Sequence, residues 1–259
     1  MKNMNKFNFI FDKTKKSQGL KKIILRKYKN YPVNKSECII VSGGDGFMLN
    51  TLKKYARFKI PFYGINCGTF GFLMNRYNSR DIWKKVNKAK SIKINPLKLR
   101  IIRKNNKKKN LVAINEVSLF RQSRQTASVK LKVGNQTIIK KLIGDGVLIS
   151  TPAGSTAYNL SVHGPILSLN SGKLAITPIS PFRPRRWKGK IISNRSVVKV
   201  YNLDPLKRPI AAVADNAEVR SVKSLYIKVD KKIKLNLLYD KDRSLMKKIK
   251  IEQLRKNIK

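Results

Sequence analysis

The stretch CIIVSGGDGFML, residues 38 to 49, contains the pattern that decides the fold. An apolar run from Cys38 to Val41 leads into a glycine turn, Ser42 to Gly46. Apolar residues then recur at helical spacing at Met48, Leu49, Leu52, Tyr55 and Ala56. The pattern therefore predicts a strand, a glycine turn and a helix. Such turns usually present backbone N–H groups to a phosphate, because the N-terminus of a helix favours anions.

The carboxylate in the middle of this turn, Asp45, has two interpretations. In the first, the glycines supply unusual backbone conformations and Asp45 caps the helix, because aspartate is a favoured N-cap residue. In the second, Asp45 is a base that accepts a proton from an attacking hydroxyl, while neighbouring N–H groups hold the phosphate being transferred. The short motif alone does not decide between these interpretations.

Around this turn, the first part of the chain alternates between β and α patterns. FNFIF (residues 7 to 11) and PFYGIN (61 to 66) predict strands, and the second strand runs into another glycine-rich turn, CGTFGFL (67 to 73). Strand and helix in alternation predict βαβ units and a parallel sheet. Ligands bind such sheets at the carboxyl ends of the strands, where both glycine turns are expected to lie.

From about Ile92 the hydrophobic period changes to two, as in KINPLKLRIIRK and SVKLKV, and this period predicts antiparallel sheet as far as LNLLY near the C-terminus. The predicted fold is an α/β N-terminal domain of Rossmann-like βαβ units followed by a β-rich C-terminal domain. We place the first domain at residues 1–95, the second at 96–240 and a basic C-terminal segment at 241–259.

The charge balance of the 259 residues is extreme, with 59 Lys and Arg against 13 Asp and Glu and a net charge of +46. Such a charge attracts polyanions, so nucleic acid and anionic membranes are partners to consider. However, the lysines are spread from Lys2 to Lys259 and alternate with apolar residues, which favours a generally basic surface over a specific nucleic-acid site.

Two further observations indicate a soluble, cytoplasmic protein with no membrane partner. No apolar stretch approaches the length that spans a bilayer. The two cysteines, Cys38 and Cys67, fit no disulfide framework or metal-ligand spacing, which favours a reduced compartment.

Polar residues interrupt the β-rich part at two places. Asn115 and Glu116 stand between apolar residues of a predicted strand, where they either face solvent or hydrogen-bond a ligand such as a ribose. STPAGSTAYNLSVHGP (150 to 165) is either a loop with a capped helix or a wall of a nucleotide pocket, together with Asp145. The patterns GxxxxGK[ST] and GxGxxG are both absent, so neither common nucleotide-binding turn explains the chain.

In this order, SGGDGFML, GINCGTFGFL, INEV and GDGVLISTPAGSTAYNLSVHGPIL resemble the NAD kinase family, over most of residues 38 to 180. GGDG alone also occurs in diacylglycerol and sphingosine kinases, so the combination carries the resemblance. It implies transfer of the γ-phosphate of ATP to the 2′-hydroxyl of the adenosine ribose of NAD, with Mg²⁺ or another divalent cation. It also implies the two-domain NAD kinase architecture, an NAD-binding second domain, a C-terminal segment that returns to the first domain, and a homodimer or homotetramer.

The resemblance also implies roles for individual residues. Asp45 matches the catalytic aspartate that accepts the proton of the ribose hydroxyl. Asn115 and Glu116 match a pair that hydrogen-bonds NAD, with Asp145 on the opposite wall. The residues expected to bind the dinucleotide are Gly46, Phe72, Asn115, Glu116, Asp145, Ala153, Thr156, Ala157, Tyr158 and Ser161. No residue is identified as a metal ligand.

Some residues depart from the family pattern. In VADNAEV (213 to 219), Asn216 occupies the position of a family glycine, so no role is assigned to Asp215. The segment SPFRPRRW (180 to 187) is more basic than expected. Two other functions remain open from the sequence: a lipid kinase of the same superfamily, and a basic nucleic-acid-binding protein that has lost catalysis.

Overall fold

The computed structural model describes residues 4–68, 71–77 and 81–240, which form two compact units. The first unit contains the described residues up to Ile94 together with those from Lys234 onward, and the second spans Asn95 to Ile233. The predicted basic C-terminal segment, 241–259, lies outside the described residues.

Strands and α-helices are numbered in chain order. The elements of the first half are β1 (Phe7–Phe11), α1 (Lys15–Lys27), β2 (Cys38–Gly43), α2 (Asp45–Tyr55), β3 (Phe62–Asn66), β4 (Asn75–Arg76), α3 (Ile82–Lys88), β5 (Lys90–Ile94), β6 (Leu97–Arg103), β7 (Lys108–Ala113), β8 (Glu116–Arg121) and β9 (Ala127–Val133). Those of the second half are β10 (Gln136–Gly144), β11 (Gly146–Ser150), α4 (Tyr158–Ser161), β12 (Lys173–Ile179), β13 (Lys190–Ser193), β14 (Val198–Asn202), β15 (Ile210–Ala214), β16 (Ala217–Val219), β17 (Val222–Val229) and β18 (Leu235–Tyr239). Short 3-10 helices span Val33–Lys35, Ala56–Phe58 and Gly154–Thr156.

The first unit is built on a mixed sheet in the order β1, β2, β3, β18, β5, with β4 beside β3. The strands β1, β2, β3, β4 and β18 pair in parallel, which confirms the predicted parallel sheet, and β5 pairs antiparallel with β18. The helices α1 and α3 bury Leu20, Ile24, Ile82 and Val86 in the same core as β1 and β2. Burial of one apolar face is what stabilises helices of this length.

One strand lies in a different sheet from the one predicted. The LNLLY strand, β18, was assigned to the second domain, but it pairs with β3 and β5 of the first unit. Leu235, Leu237 and Leu238 are all buried, as expected for an inner strand whose two faces are both covered. An apolar pattern predicts a strand without specifying its partners, which explains the error.

The second unit consists of two antiparallel six-stranded sheets, as the period of two predicted. Their orders are β10, β9, β14, β17, β6, β7 and β13, β12, β11, β8, β15, β16. One apolar core contains side chains of both sheets, such as Leu99 of β6 and Val147 of β11. Within the described ranges, no helix is long and apolar enough to cross a bilayer.

Candidate active site

The GGDG turn lies between β2 and α2, as the sequence predicts. The N-cap residue of α2 is Gly44, which has no side chain to cap the helix, and Asp45 is the first helical residue. The Asp45 carboxylate instead accepts hydrogen bonds from the backbone N–H groups of Phe72 (2.8 Å) and Leu73 (3.1 Å). The interpretation of Asp45 as the N-cap is therefore wrong, and its carboxylate binds the second glycine turn.

The two glycine turns approach each other closely at the carboxyl ends of β2 and β3. The N–H of Cys67, just after β3, donates to the carbonyl of Gly43 at the end of β2 (2.8 Å). A Cβ on Gly71 would lie 3.0 Å from Oδ1 of Asp45 and 3.1 Å from two side-chain atoms of Met74, so a side chain at this position would crowd the approach. A Cβ on Gly44 or Gly46 would meet nothing within 4 Å. The backbone at the start of α2 is therefore open beside an anchored carboxylate.

A buried phenol lies near this carboxylate. Tyr239, the last residue of β18, is 7% exposed. Its burial, together with the charge of Asp45, raises the pKa of the Tyr239 hydroxyl far above its usual range. Tyr239 therefore keeps its proton at neutral pH and does not compete with Asp45 as a base.

In the second unit, the predicted Asn-Glu pair connects β7 to β8. The backbone N–H groups of Ile114, Asn115 and Glu116 donate to the carboxylate of Asp215, at 2.8, 2.8 and 3.4 Å. The sequence assigned no role to Asp215, because its neighbour Asn216 departs from the family pattern. The VADNAEV resemblance was nevertheless the signal that could have identified it.

Three polar side-chain atoms near this connection are buried without a hydrogen-bond partner among the described residues. They are Oδ1 of Asn115, Oε2 of Glu116 and Oγ1 of Thr156. Buried polar atoms are normally paired, so three such atoms on predicted binding residues indicate a site that a ligand completes. The segment of Thr156 adjoins Asn115, because the N–H of Thr151 donates to the Asn115 carbonyl (2.9 Å) and a Cβ on Gly154 would overlap that carbonyl.

The environment of Glu116 changes its ionisation. Burial, and to a lesser extent the nearby charge of Asp215, raises the pKa of Glu116 to about 8. A protonated carboxyl can donate a hydrogen bond as well as accept one. At neutral pH, Glu116 therefore offers a donor to a ligand, whereas an ionised glutamate would offer acceptors alone.

A second group of predicted residues assembles around Tyr158, the first residue of α4. The Tyr158 ring lies against that of Phe120, with centroids 5.8 Å apart. Burial and the charges of Asp145 and Glu116 raise the pKa of the Tyr158 hydroxyl. Asp145 forms an ion pair with Arg121, with 2.6 Å between Oδ1 and Nε. The structure thus places Asp145, Glu116 and Tyr158 in one electrostatic environment, and Arg121 is a member that the sequence analysis missed.

The hydroxyl-rich segment is held by a residue that was also missed. Asn159 is fully buried and donates to the carbonyls of Ser155 (3.2 Å) and Pro165 (2.9 Å), while it accepts from the Thr177 hydroxyl (2.7 Å). Ala153 and Thr156 are buried in this segment, Ala157 is half-buried, and Ser161 is exposed at the end of α4. The predicted contact of Ser161 with NAD stays a prediction.

Comparison with known proteins identifies the family. The ATP-NAD kinase N-terminal domain matches residues 1–89, and the ATP-NAD kinase C-terminal domain matches residues 114–240. The chain belongs to the NAD kinase family. The NAD kinase of Zymomonas mobilis is 42% identical over 97% of this chain and 98% of its own length. The NAD kinase of Caulobacter vibrioides is 40% identical over 92% and 91%.

Solved structures confirm the NAD kinase architecture. A yeast NADH kinase complexed with NADH superposes with a TM-score of 0.80 at 18% identity, and covers 100% of this chain and 90% of its own. An Archaeoglobus fulgidus NAD kinase in complex with ATP superposes with a TM-score of 0.75 at 21% identity, over 95% of this chain and 98% of its own. At these identities the likeness shows the fold, while the curated relatives show the family.

Proposed function

We infer that this member of the family is an NAD kinase, which transfers the γ-phosphate of ATP to the 2′-hydroxyl of the adenosine ribose of NAD to give NADP. The observation that carries this conclusion is the anchored carboxylate of Asp45 beside the open backbone at the start of α2. Family membership favours this reaction over a lipid kinase or a nucleic-acid-binding protein, the two alternatives that the sequence left open.

We propose that Asp45 is the proton acceptor of this reaction. As the 2′-oxygen attacks the γ-phosphorus, its O–H bond breaks and the proton passes to the carboxylate, while the bond from phosphorus to the leaving oxygen breaks and ADP departs. The N–H groups of Phe72 and Leu73 orient the carboxylate. Gly44 and Gly46 leave the helix N-terminus open, which suits the approach of phosphate oxygens.

In the second unit, we propose that NAD completes the hydrogen bonds of the three buried oxygens on Asn115, Glu116 and Thr156. Ribose hydroxyls both donate and accept hydrogen bonds, so they match a set that combines amide, carboxyl and hydroxyl oxygens. The ring of Tyr158, packed against Phe120 and 36% exposed, offers an apolar surface to the same dinucleotide.

Phosphoryl transfer from ATP uses a divalent cation to neutralise phosphate charge. Among the residues that the structure describes, no group of three or more His, Cys, Asp or Glu side chains could hold a metal ion. These residues do not fit a resident metal centre. We propose instead that Mg²⁺ enters bound to ATP, since it commonly keeps its waters and binds through the phosphates of the substrate.

The test is an assay of purified protein with NAD, ATP and Mg²⁺, in which NADP is detected by an NADP-specific dehydrogenase. We expect NADP from the wild type, and a rate lower by about 10²–10⁴-fold in Asp45→Asn, because the amide cannot take the proton. The matched control is Asp81→Asn, since Asp81 caps α3 through the Trp83 N–H and asparagine caps equally well. No NADP from the folded wild type would refute the function, and a full rate in Asp45→Asn would refute the role of Asp45.

The homodimer or homotetramer and the cytoplasmic location are also proposals. The location is supported by Cys38 and Cys67, which are both free thiols in the structure and are stable as such in a reducing compartment. Light scattering coupled to size-exclusion chromatography measures the assembly, and cell fractionation measures the location.

A further inference from the structure

Asp215 occupies a tight turn in which the backbone takes the left-handed conformation that most side chains disfavour. Ala214 of β15 pairs with Ala217 of β16, so Asp215 and Asn216 form a two-residue turn. The φ angle of Asp215 is 52°, in the left-handed region. Glycine, asparagine and aspartate are the residues that adopt this conformation most readily. Aspartate therefore fits the turn, and the contacts of its carboxylate show what it does there.

The carboxylate of Asp215 has an unusual set of partners. Its two oxygens accept hydrogen bonds from three consecutive backbone N–H groups, those of Ile114, Asn115 and Glu116. In return, the N–H of Asp215 donates to the Glu116 carbonyl (3.2 Å). Charge-assisted hydrogen bonds are stronger than neutral ones, so this single side chain fixes the conformation of the whole connection between β7 and β8.

The connection that Asp215 fixes carries two buried side-chain oxygens with no hydrogen-bond partner among the described residues, Oδ1 of Asn115 and Oε2 of Glu116. We propose that Asp215 is a positioning residue of the dinucleotide site, which holds Asn115 and Glu116 in place through their backbone. This inference rests on the proposed NAD kinase function. It assigns to Asp215 an effect on the binding of NAD that is larger than its effect on the phosphoryl-transfer step.

Asp215 also acts on Glu116 through its charge, which helps to raise the pKa of the Glu116 carboxyl. Glu116 begins β8, which lies between β11 and β15 in its sheet. On β11, the residue opposite Glu116 is Ser150, which is uncharged. Asp215 faces Glu116 from the turn after β15. The hydroxyl of Tyr158, in α4, interacts with the charge of Glu116. Asp145, paired with Arg121, acts on the same tyrosine.

The raised pKa of Glu116, about 8, depends in part on the charge of Asp215. Below this pH the carboxyl carries a proton that it can donate to NAD, and above it the carboxyl ionises. In this proposal the protonated carboxyl, as a donor, is the form that binds NAD, so the affinity for NAD is expected to fall as the pH rises through about 8. Removal of the Asp215 charge should move this fall to lower pH.

Two variants separate these effects. Asp215→Ala removes all three acceptor contacts, and we expect the Kd and KM for NAD to rise by about ten- to a hundredfold, with a smaller change in kcat. Asp215→Asn keeps an acceptor oxygen and tolerates the left-handed conformation, but it removes the charge. For this variant we expect the fall of NAD affinity to occur at lower pH. In a Glu116→Gln background, Asp215→Asn should leave the pH dependence of NAD affinity unshifted.

The experiment measures NAD binding by calorimetry, turnover, and thermal unfolding from about pH 6 to about pH 9. Asp204→Asn is the matched control, because Asp204 also accepts a backbone N–H in a turn of the second unit, that of Lys207. For Asp204→Asn, we expect the Kd for NAD and its pH dependence to match those of the wild type. If Asp215→Ala does not fold, the pH profile of Asp215→Asn decides.

Unchanged NAD affinity in folded Asp215→Ala, or an unshifted profile in Asp215→Asn, would overturn the inference. The outcome for the function is separate. A wild type that binds NAD without making NADP would refute the kinase reaction, while the binding data would still decide the role of Asp215.

Discussion

Glu116→Gln is expected to make the protein more stable than the wild type at alkaline pH. Burial and the charge of Asp215 raise the pKa of Glu116 from 4.5 to about 8, so the folded state binds a proton more tightly than the unfolded state does. Between these two values the folded protein holds the extra proton, and its stability falls as the pH rises. Glutamine does not titrate and has a similar shape, so the variant lacks this loss.

The size of the effect follows from the shift. The difference between 4.5 and about 8 corresponds to about 5 kcal/mol at 1.36 kcal/mol for each pH unit, which is an upper limit. Part of the Glu116 side chain remains exposed to water, which reduces the loss. We therefore expect the wild type to lose at least about 2 kcal/mol relative to the variant between about pH 5 and about pH 9, or roughly 4–8 °C in Tm.

Tryptophan fluorescence can report this unfolding for the second unit. Trp187 packs against the core of that unit, and Trp83 lies in the first unit. In a Trp83→Phe background, the fluorescence of Trp187 would therefore follow the thermal unfolding of the protein with Glu116 and of the protein with Glu116→Gln. Glu218→Gln is the control, since Glu218 pairs with Arg220 at the surface, where an ion pair contributes only about 0–1 kcal/mol.

The prediction concerns the difference in Tm between two proteins that share every other titrating group. The contributions of those other groups to the pH dependence therefore cancel. If the Tm difference between the wild type and Glu116→Gln is the same at all pH values, Glu116 does not titrate in the neutral to alkaline range. The reasoning about its burial and about Asp215 would then be wrong.

Three further substitutions test the geometry of the two units. Gly46→Ala should raise the free energy of unfolding by up to about 1 kcal/mol, because the added Cβ meets nothing within 4 Å and alanine favours helix. The same variant should lower kcat/KM for ATP, because the proposed phosphate site uses this open backbone. Gly154→Ala should destabilise the second unit by several kcal/mol, because its Cβ overlaps the Asn115 carbonyl, as chemical denaturation would measure. Arg121→Ala should change stability by less than about 1 kcal/mol, because the ion pair with Asp145 is exposed, while the KM for NAD changes.

The sequence predicted the order and type of the main elements because local patterns specify them. An apolar run followed by Ser42 to Gly46 produced β2 and α2, and the period of two after Ile92 produced the antiparallel sheets of the second unit. The sheet to which β18 belongs could not be predicted, because pairing depends on partners far away in the chain. That strand pairs with β3, more than a hundred and fifty residues earlier.

The candidate residues were also identified by motif, but their contacts were not. GGDG identified Asp45, whereas its bonds to the N–H groups of Phe72 and Leu73 depend on how two separate turns meet. The Asn-Glu pair was recognisable, but its dependence on Asp215 spans about a hundred residues. Arg121 carried no motif at all.

The sequence by itself therefore determined the family, the strand and helix pattern and the chemistry available at each motif, since these depend on residue types at short spacing. Tertiary structure alone decided that Asp45 anchors a turn instead of capping a helix, and that Glu116 is enclosed beside Asp215. It also decided that the buried oxygens on Asn115, Glu116 and Thr156 have no hydrogen-bond partner among the described residues. Burial and the distance between charges determine these properties, and both arise only when remote segments pack together.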